Sequence, residues 1–172
     1  MNIYLIGYRG TGKTSLGKSL ASILRWPFVD TDSELARCVG MSIAEFVRQN
    51  GWDAFRKTER SIMKKICSND RHVVATGGGV VLELQNVICM QSSGSLIWLK
   101  ALPETIRARL SNDRQTEHTR PALTSKGSID EIEAMLKKRN SRYHEAMDFF
   151  VETDGLSIDE IRDTIVARLP EI

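Results

Sequence analysis

GYRGTGKTS, residues 7–15, decides how the rest of the chain is read. Gly7, Gly12, Lys13 and Thr14 fill the fixed positions of the pattern G-x-x-x-x-G-K-[ST]. The stretch follows an apolar run, IYLI, and opens the helix-like segment TSLGKSLASIL. Strand, glycine turn and helix start are the setting in which successive backbone N–H groups cradle phosphate oxygens. The helix adds the partial positive charge of its N-terminus. Lys13 is predicted to reach the β- and γ-phosphates of a nucleotide, and the Thr14 hydroxyl to ligate Mg²⁺. A glycine-rich turn with an exposed lysine is the plainer alternative, and the strand–loop–helix setting argues against it.

Outward from this loop, short apolar runs alternate with amphipathic segments. Strands are predicted at Ile3–Ile6, Pro27–Asp30, Val73–Thr76, Leu96–Leu99 and Phe149–Glu152. The runs VVAT and LIWL are almost wholly apolar, as strands covered on both faces must be. Ser42 with Glu45, Ser128 with Glu131 and Ser157 with Glu160 have capping-box spacing. Pro103 suits the first turn of a helix over ETIRARL. This alternation predicts an α/β fold, a five-stranded parallel sheet between two helical layers. With the phosphate loop, a three-layer P-loop NTPase fold in one domain, 1–172, is expected. Residues 34–68, punctuated by Gly40 and Gly51, are too long for a simple crossover and read as a helical insertion. Residues 111–127, SNDRQTEHTRPALTSKG, are polar and aperiodic, a functional lid or a plain surface loop.

Composition narrows the class. At 172 residues the chain can bury a full core. A net charge of +2 is too mild for a nucleic-acid face and suits anionic small molecules met by a few placed arginines. Cys38, Cys67 and Cys89 lack metal or disulfide-framework spacing and read as reduced thiols. No apolar run reaches the roughly 20 residues of a membrane span. The opening MNIYLIG is too short for a signal peptide, so a cytoplasmic location is expected. The guanine-reading N-K-x-D pattern does not occur, which disfavours a GTPase and leaves small kinases as the natural class for this length.

The stretch FVDTDSE, residues 28–34, leaves its strand at the sheet edge where ligands gather. If the chain is extended there, Asp30 and Asp32 point to one side. One carboxylate can hold the waters of Mg²⁺ and the other can aim an attacking hydroxyl. Alternatively Thr31 and Asp32 merely cap a helix. Gly77, Gly78 and Gly79 end a buried strand, marking either close ligand approach or a tight turn. Arg56 follows Gly51 on a helix, where an isolated arginine is usually solvated. Arg120 lies in the polar loop, and Arg139 and Arg142 on the last large helix. A carboxylate-bearing substrate calls for such bidentate partners. His72, His118 and His144 have no metal spacing and read as solvated side chains; Trp26, Trp52 and Trp98 read as packing residues, with Trp52 the one that could also stand near a ligand.

In series, GYRGTGKTS, FVDTD, GMSIAEFVRQNGWDAFRKTE, GGG, RPAL and RNSRYHEAMD resemble the shikimate kinase family over residues 5 to about 150. The resemblance implies sheet order 2-3-1-4-5 and transfer of the ATP γ-phosphoryl group to the 3-hydroxyl of shikimate, on the route to aromatic amino acids. It implies that Gly10, Thr11, Gly12, Lys13, Thr14 and Ser15 wrap the ATP phosphates. Thr14 would ligate Mg²⁺, with Asp30 assisting through water, and Asp32 would bond the substrate hydroxyls and act on the attacking one. Arg56 and Arg139 would hold the carboxylate, with Glu59 holding Arg56 in place. Gly77, Gly78 and Gly79 would border the substrate, with the Gly78 backbone bonding it, and Arg120 would close onto the phosphates. Residues 34–68 become the shikimate-binding subdomain and 111–127 the lid. A monomer is expected, with ATP and shikimate as partners. The chain departs from the family in carrying Trp52 where glutamate is frequent, and Arg114 is given no role. A kinase for another hydroxylated acid such as gluconate, and a nucleotide-dependent regulatory module, are the competing classes.

Overall fold

The computed structural model describes residues 1–112 and 129–169. Five strands form one parallel sheet: β1 Asn2–Ile6, β2 Phe28–Asp30, β3 Val73–Ala75, β4 Gly94–Lys100 and β5 Phe149–Glu152. Their order is β2-β3-β1-β4-β5, as expected. Helices are α1 Lys13–Leu24, α2 Thr31–Val39, α3 Ile43–Cys67, α4 Leu84–Ser93, α5 Pro103–Asn112, α6 Ile129–Ala146 and α7 Ile158–Val166. A single 3₁₀ turn, Val80–Leu82, precedes α4.

The two-residue period of the strands builds both cores. On β1, Ile3 and Leu5 join Leu16, Leu20, Ile97, Leu99 and Ile161 on one face. Tyr4 and Ile6 face the other way, against Met63, Val74, Leu96, Trp98 and Tyr143. Both faces are covered, which is why these strands read as continuous apolar runs. β4 begins at Gly94, two residues before the predicted start, and pairs from there with Asn2 of β1.

Residues 34–68 contain most of α2 and all of α3. Gly40 ends α2 at φ +70°. Gly51, at φ 80° and ψ 171°, breaks α3 between Asn50 and Trp52. Of the three capping signatures, Ser157 and Glu160 form the reciprocal box. Ser42 accepts from the Glu45 amide, while the Glu45 carboxylate lies 4.0 Å from Arg48. Ser128 falls outside the described residues, as do Arg114, His118, Arg120 and all but the first two positions of the expected lid. Among the described residues no helix is long and apolar enough to cross a membrane.

Candidate active site

The phosphate loop is shaped by what surrounds it. A Cβ on Gly7 would stand 2.5 Å from the Leu99 carbonyl, so no side chain fits there. Gly12 caps α1 at φ 92° and offers no side-chain acceptor to the first turn. The N–H groups of that turn therefore remain for an anion. Lys13 is buried, and its Nζ donates to the Gly7 and Tyr8 carbonyls at 2.8 and 2.7 Å. Thr11 bonds the same Tyr8 carbonyl through its hydroxyl at 2.7 Å, which stiffens the loop.

Asp30 does two jobs. Its Oδ1 caps α2, accepting from the amides of Asp32 and Ser33 at 3.1 and 3.2 Å. Its Oδ2 accepts from the Thr14 hydroxyl at 2.9 Å. The chain is therefore not extended through FVDTD: β2 stops at Asp30 and a helix starts at Thr31. The cap is Asp30, not Thr31 or Asp32, because only its carboxylate precedes the first-turn amides. Thr31 is buried and accepts from the Gly77 amide at 2.9 Å, tying this corner to the glycine turn.

Two cavities meet here. The larger, about 890 Å³, is lined by Gly10 to Leu16 together with Asp30, Asp32 and Thr76. Arg109, Leu156 and Ile161 border its far end. The smaller, about 330 Å³, holds Trp52, Phe55, Arg56, Glu59, Gly77 to Gly79 and Arg139. Among the described residues Arg9, Asp32 and Ile43 line both.

The second cavity has two fixed guanidinium groups. Arg56 donates to Glu59 at 2.7 Å and to the Gly79 carbonyl at 3.2 Å, with its charge 5.1 Å from the Phe55 ring. Burial pushes the Glu59 carboxyl above its ordinary value, and neighbouring Arg56 pulls the other way. Arg139 is buried, donates to the Gly78 carbonyl at 3.2 Å and lies 5.7 Å from the Tyr8 ring. Arg142 is exposed and pairs with Glu145 at 3.3 Å, outside both cavities. The glycines are small because side chains already occupy the space: a Cβ on Gly77 would meet Asp32 at 2.7 Å, and one on Gly79 would meet Arg56 at 2.6 Å.

Sequence reasoning missed three residues. Tyr143, one turn after Arg139, donates its hydroxyl to the Gly78 carbonyl. Burial raises that hydroxyl to about 12, so it remains a donor at neutral pH. Its spacing of four from Arg139 was a usable signal. Arg109 bonds Gly10 and Thr153 across 99 and 44 positions of chain, a contact with no local signature. Arg9 sits at a variable position of the phosphate motif, where a charged residue has no part in the cradle.

A glycine loop at a strand–helix junction, with its cavity joined through Asp32 to a guanidinium-lined pocket, defines a P-loop small-molecule kinase. The family model described as "Shikimate kinase" matches residues 9–170. A shikimate kinase of Rhodopirellula baltica is 34% identical over 98% of this chain and 90% of its own. One from Nitratidesulfovibrio vulgaris is 39% identical over 89% of this chain and 87% of its own. The structure of shikimate kinase from Acinetobacter baumannii in complex with shikimate superposes with TM-score 0.89 at 28% identity, covering 96% of this chain and 90% of that one. This chain belongs to the shikimate kinase family.

Proposed function

We propose that the chain transfers the γ-phosphoryl group of ATP to the 3-hydroxyl of shikimate, as a cytoplasmic monomer supplying aromatic amino acid synthesis. The observation that carries this is Asp32, whose side of α2 borders the nucleotide cavity and the arginine-lined cavity alike. ATP phosphates would lie along the amides of Gly10 to Ser15, with Lys13 turning from its loop carbonyls toward the β- and γ-oxygens. Shikimate would occupy the smaller cavity, its carboxylate between Arg56 and Arg139. Gly77 to Gly79 would form the wall beside the ring, their missing side chains letting Asp32, the phosphate loop and Arg56 pack close behind it. Asp32 then accepts the proton of the 3-hydroxyl. That oxygen attacks the γ-phosphorus, and the bridging oxygen departs with ADP. Arg120, in the lid expected at 111–127, would close over the transferring group.

The donor set suits Mg²⁺. Thr14 and Asp30 offer two hard oxygens side by side, 2.9 Å apart. Among the described residues no cluster of three acidic, histidine or cysteine side chains could hold a metal on its own. An ion held by one or two protein oxygens plus phosphate is the arrangement this set permits. Mg²⁺ arriving with ATP would neutralise charge on the β- and γ-oxygens.

The test is ADP release by the purified protein in ATP and Mg²⁺, with shikimate, with gluconate and with neither. Strong dependence on shikimate is expected. Release independent of shikimate, or ATP binding with no acceptor phosphorylated, would overturn the assignment.

A further inference from the structure

Arg9 is a cation whose surroundings in the fold leave its purpose unstated. The phosphate cradle needs glycine at positions 7 and 12, not a guanidinium at 9. A solvated arginine would keep its head group in water. Here the side chain is only partly exposed, and its Nε is buried without a hydrogen-bond partner among the described residues. A buried donor left unpaired is costly, so the position makes sense when a ligand supplies the acceptor.

Where that ligand sits follows from packing. A Cβ on Gly78 would come 3.3 Å from the Arg9 amide nitrogen and 3.4 Å from the Gly7 carbonyl. The glycine turn thus lies directly against the phosphate loop, and Arg9 emerges at the seam. It borders both cavities, as Asp32 does with opposite charge. The other two arginines of the smaller cavity are already tied to protein oxygens: Arg56 to Glu59 and Gly79, Arg139 to Gly78. Lys13 stands on the nucleotide side, bonded to its own loop. The anion that crosses the seam is the phosphoryl group. Its three equatorial oxygens keep their charge from donor to acceptor, and a cation at the seam stabilises it throughout.

We propose that the Arg9 guanidinium contacts the transferring phosphoryl group at the seam between the two cavities, which Asp32 also borders. This rests on the acceptor assignment above. Arg9 is then a catalytic residue, and it also holds the phosphate of the product.

The test compares Arg9→Met, which keeps a long apolar stem, with Arg9→Lys, which keeps charge on a single ammonium. In Arg9→Met, kcat falls on the order of 100-fold, the loss typical of one removed donor at developing charge. The KM for shikimate changes by less than about threefold, because uniform acceptor binding is not what is lost. Arg9→Lys recovers part of kcat. Calorimetry supplies a readout independent of turnover: phosphorylated shikimate binds roughly tenfold or more weakly to Arg9→Met, while shikimate itself binds as to the wild type. A rise in shikimate KM with kcat retained would make Arg9 a third carboxylate ligand and overturn the proposal. Unchanged kcat and unchanged product affinity in both variants would overturn it as well. If Arg9→Met fails to fold, the Arg9→Lys measurements decide alone. Wild-type enzyme that ignores shikimate would sink the acceptor assignment instead, a failure visible before any variant is made.

Discussion

Replacing Gly77 by alanine should cripple turnover without disturbing the fold. The new Cβ would lie 2.7 Å from Asp32 Oδ1, whereas ordinary contact begins at 3.4 Å. The carboxylate must therefore retreat by about 0.7 Å, because the backbone behind Gly77 is pinned by its amide bond to Thr31. Gly77 is not in the left-handed region, so alanine adds no backbone strain. The neighbouring Glu59 oxygen would stand at 3.6 Å, an acceptable contact. A displacement of about 1 Å at a reacting group can cost on the order of 100-fold, so a 10- to 100-fold fall in kcat is expected. Steady-state ADP release at saturating ATP and shikimate measures it, with thermal unfolding as the control for folding. A folded Gly77→Ala protein with wild-type kcat would refute the idea that the position of Asp32 matters to the transfer step.

Other consequences are separable. Arg139→Met should raise the KM for shikimate by roughly 10- to 150-fold, matching a charge-assisted contact of about 1.5–3 kcal/mol, while exposed Arg142→Ala leaves it unchanged. Equal effects of the two substitutions in steady-state kinetics would contradict the assigned clamp. Burial raises the Glu59 carboxyl, so the folded state holds that proton more tightly than the unfolded chain. The stability it contributes is fully present below the ordinary glutamate value and is lost as pH rises through the raised folded value. Glu59→Gln, which cannot titrate, should flatten that part of the denaturation-versus-pH curve and loosen Arg56, raising shikimate KM; parallel curves for the two proteins would count against it. Ser157→Ala removes the capping box of α7 and should cost about 1 kcal/mol, lowering Tm by about 2–4 °C in calorimetry with kcat unaffected.

The layout of the sheet was legible because its signals are local. Apolar runs such as VVAT and LIWL identify buried strands, and the phosphate motif fixes which strand is β1. Boundaries shifted where tertiary pairing decided them: β4 extends back to Gly94 because Asn2 lies opposite. Asp30 and Asp32 were found by charge and spacing and a helix start beside them was one of two readings, but Asp30 as its cap was not, since that depends on where β2 ends. Helix periodicity alone does not separate Arg139 from Arg142, because which side of a helix faces a pocket depends on the partner element; only the family resemblance singled out Arg139. Tyr8 and Gly78 supply that partner. Arg9 and Arg109 were invisible for a related reason: each acts across loops brought together only by folding. Arg120 and the other lid positions beyond residue 112 lie outside the described residues, so their part in closure stands as proposed.

The most direct measurement is the turnover of Asp32→Asn beside its affinity for a nonhydrolysable ATP analogue. The amide is nearly the same size but cannot accept the proton of the attacking hydroxyl. Turnover should drop at least about 100-fold while the analogue binds within a factor of about three of wild type. Near-normal turnover in that variant would mean that the carboxylate shared by the two cavities does not manage the acceptor.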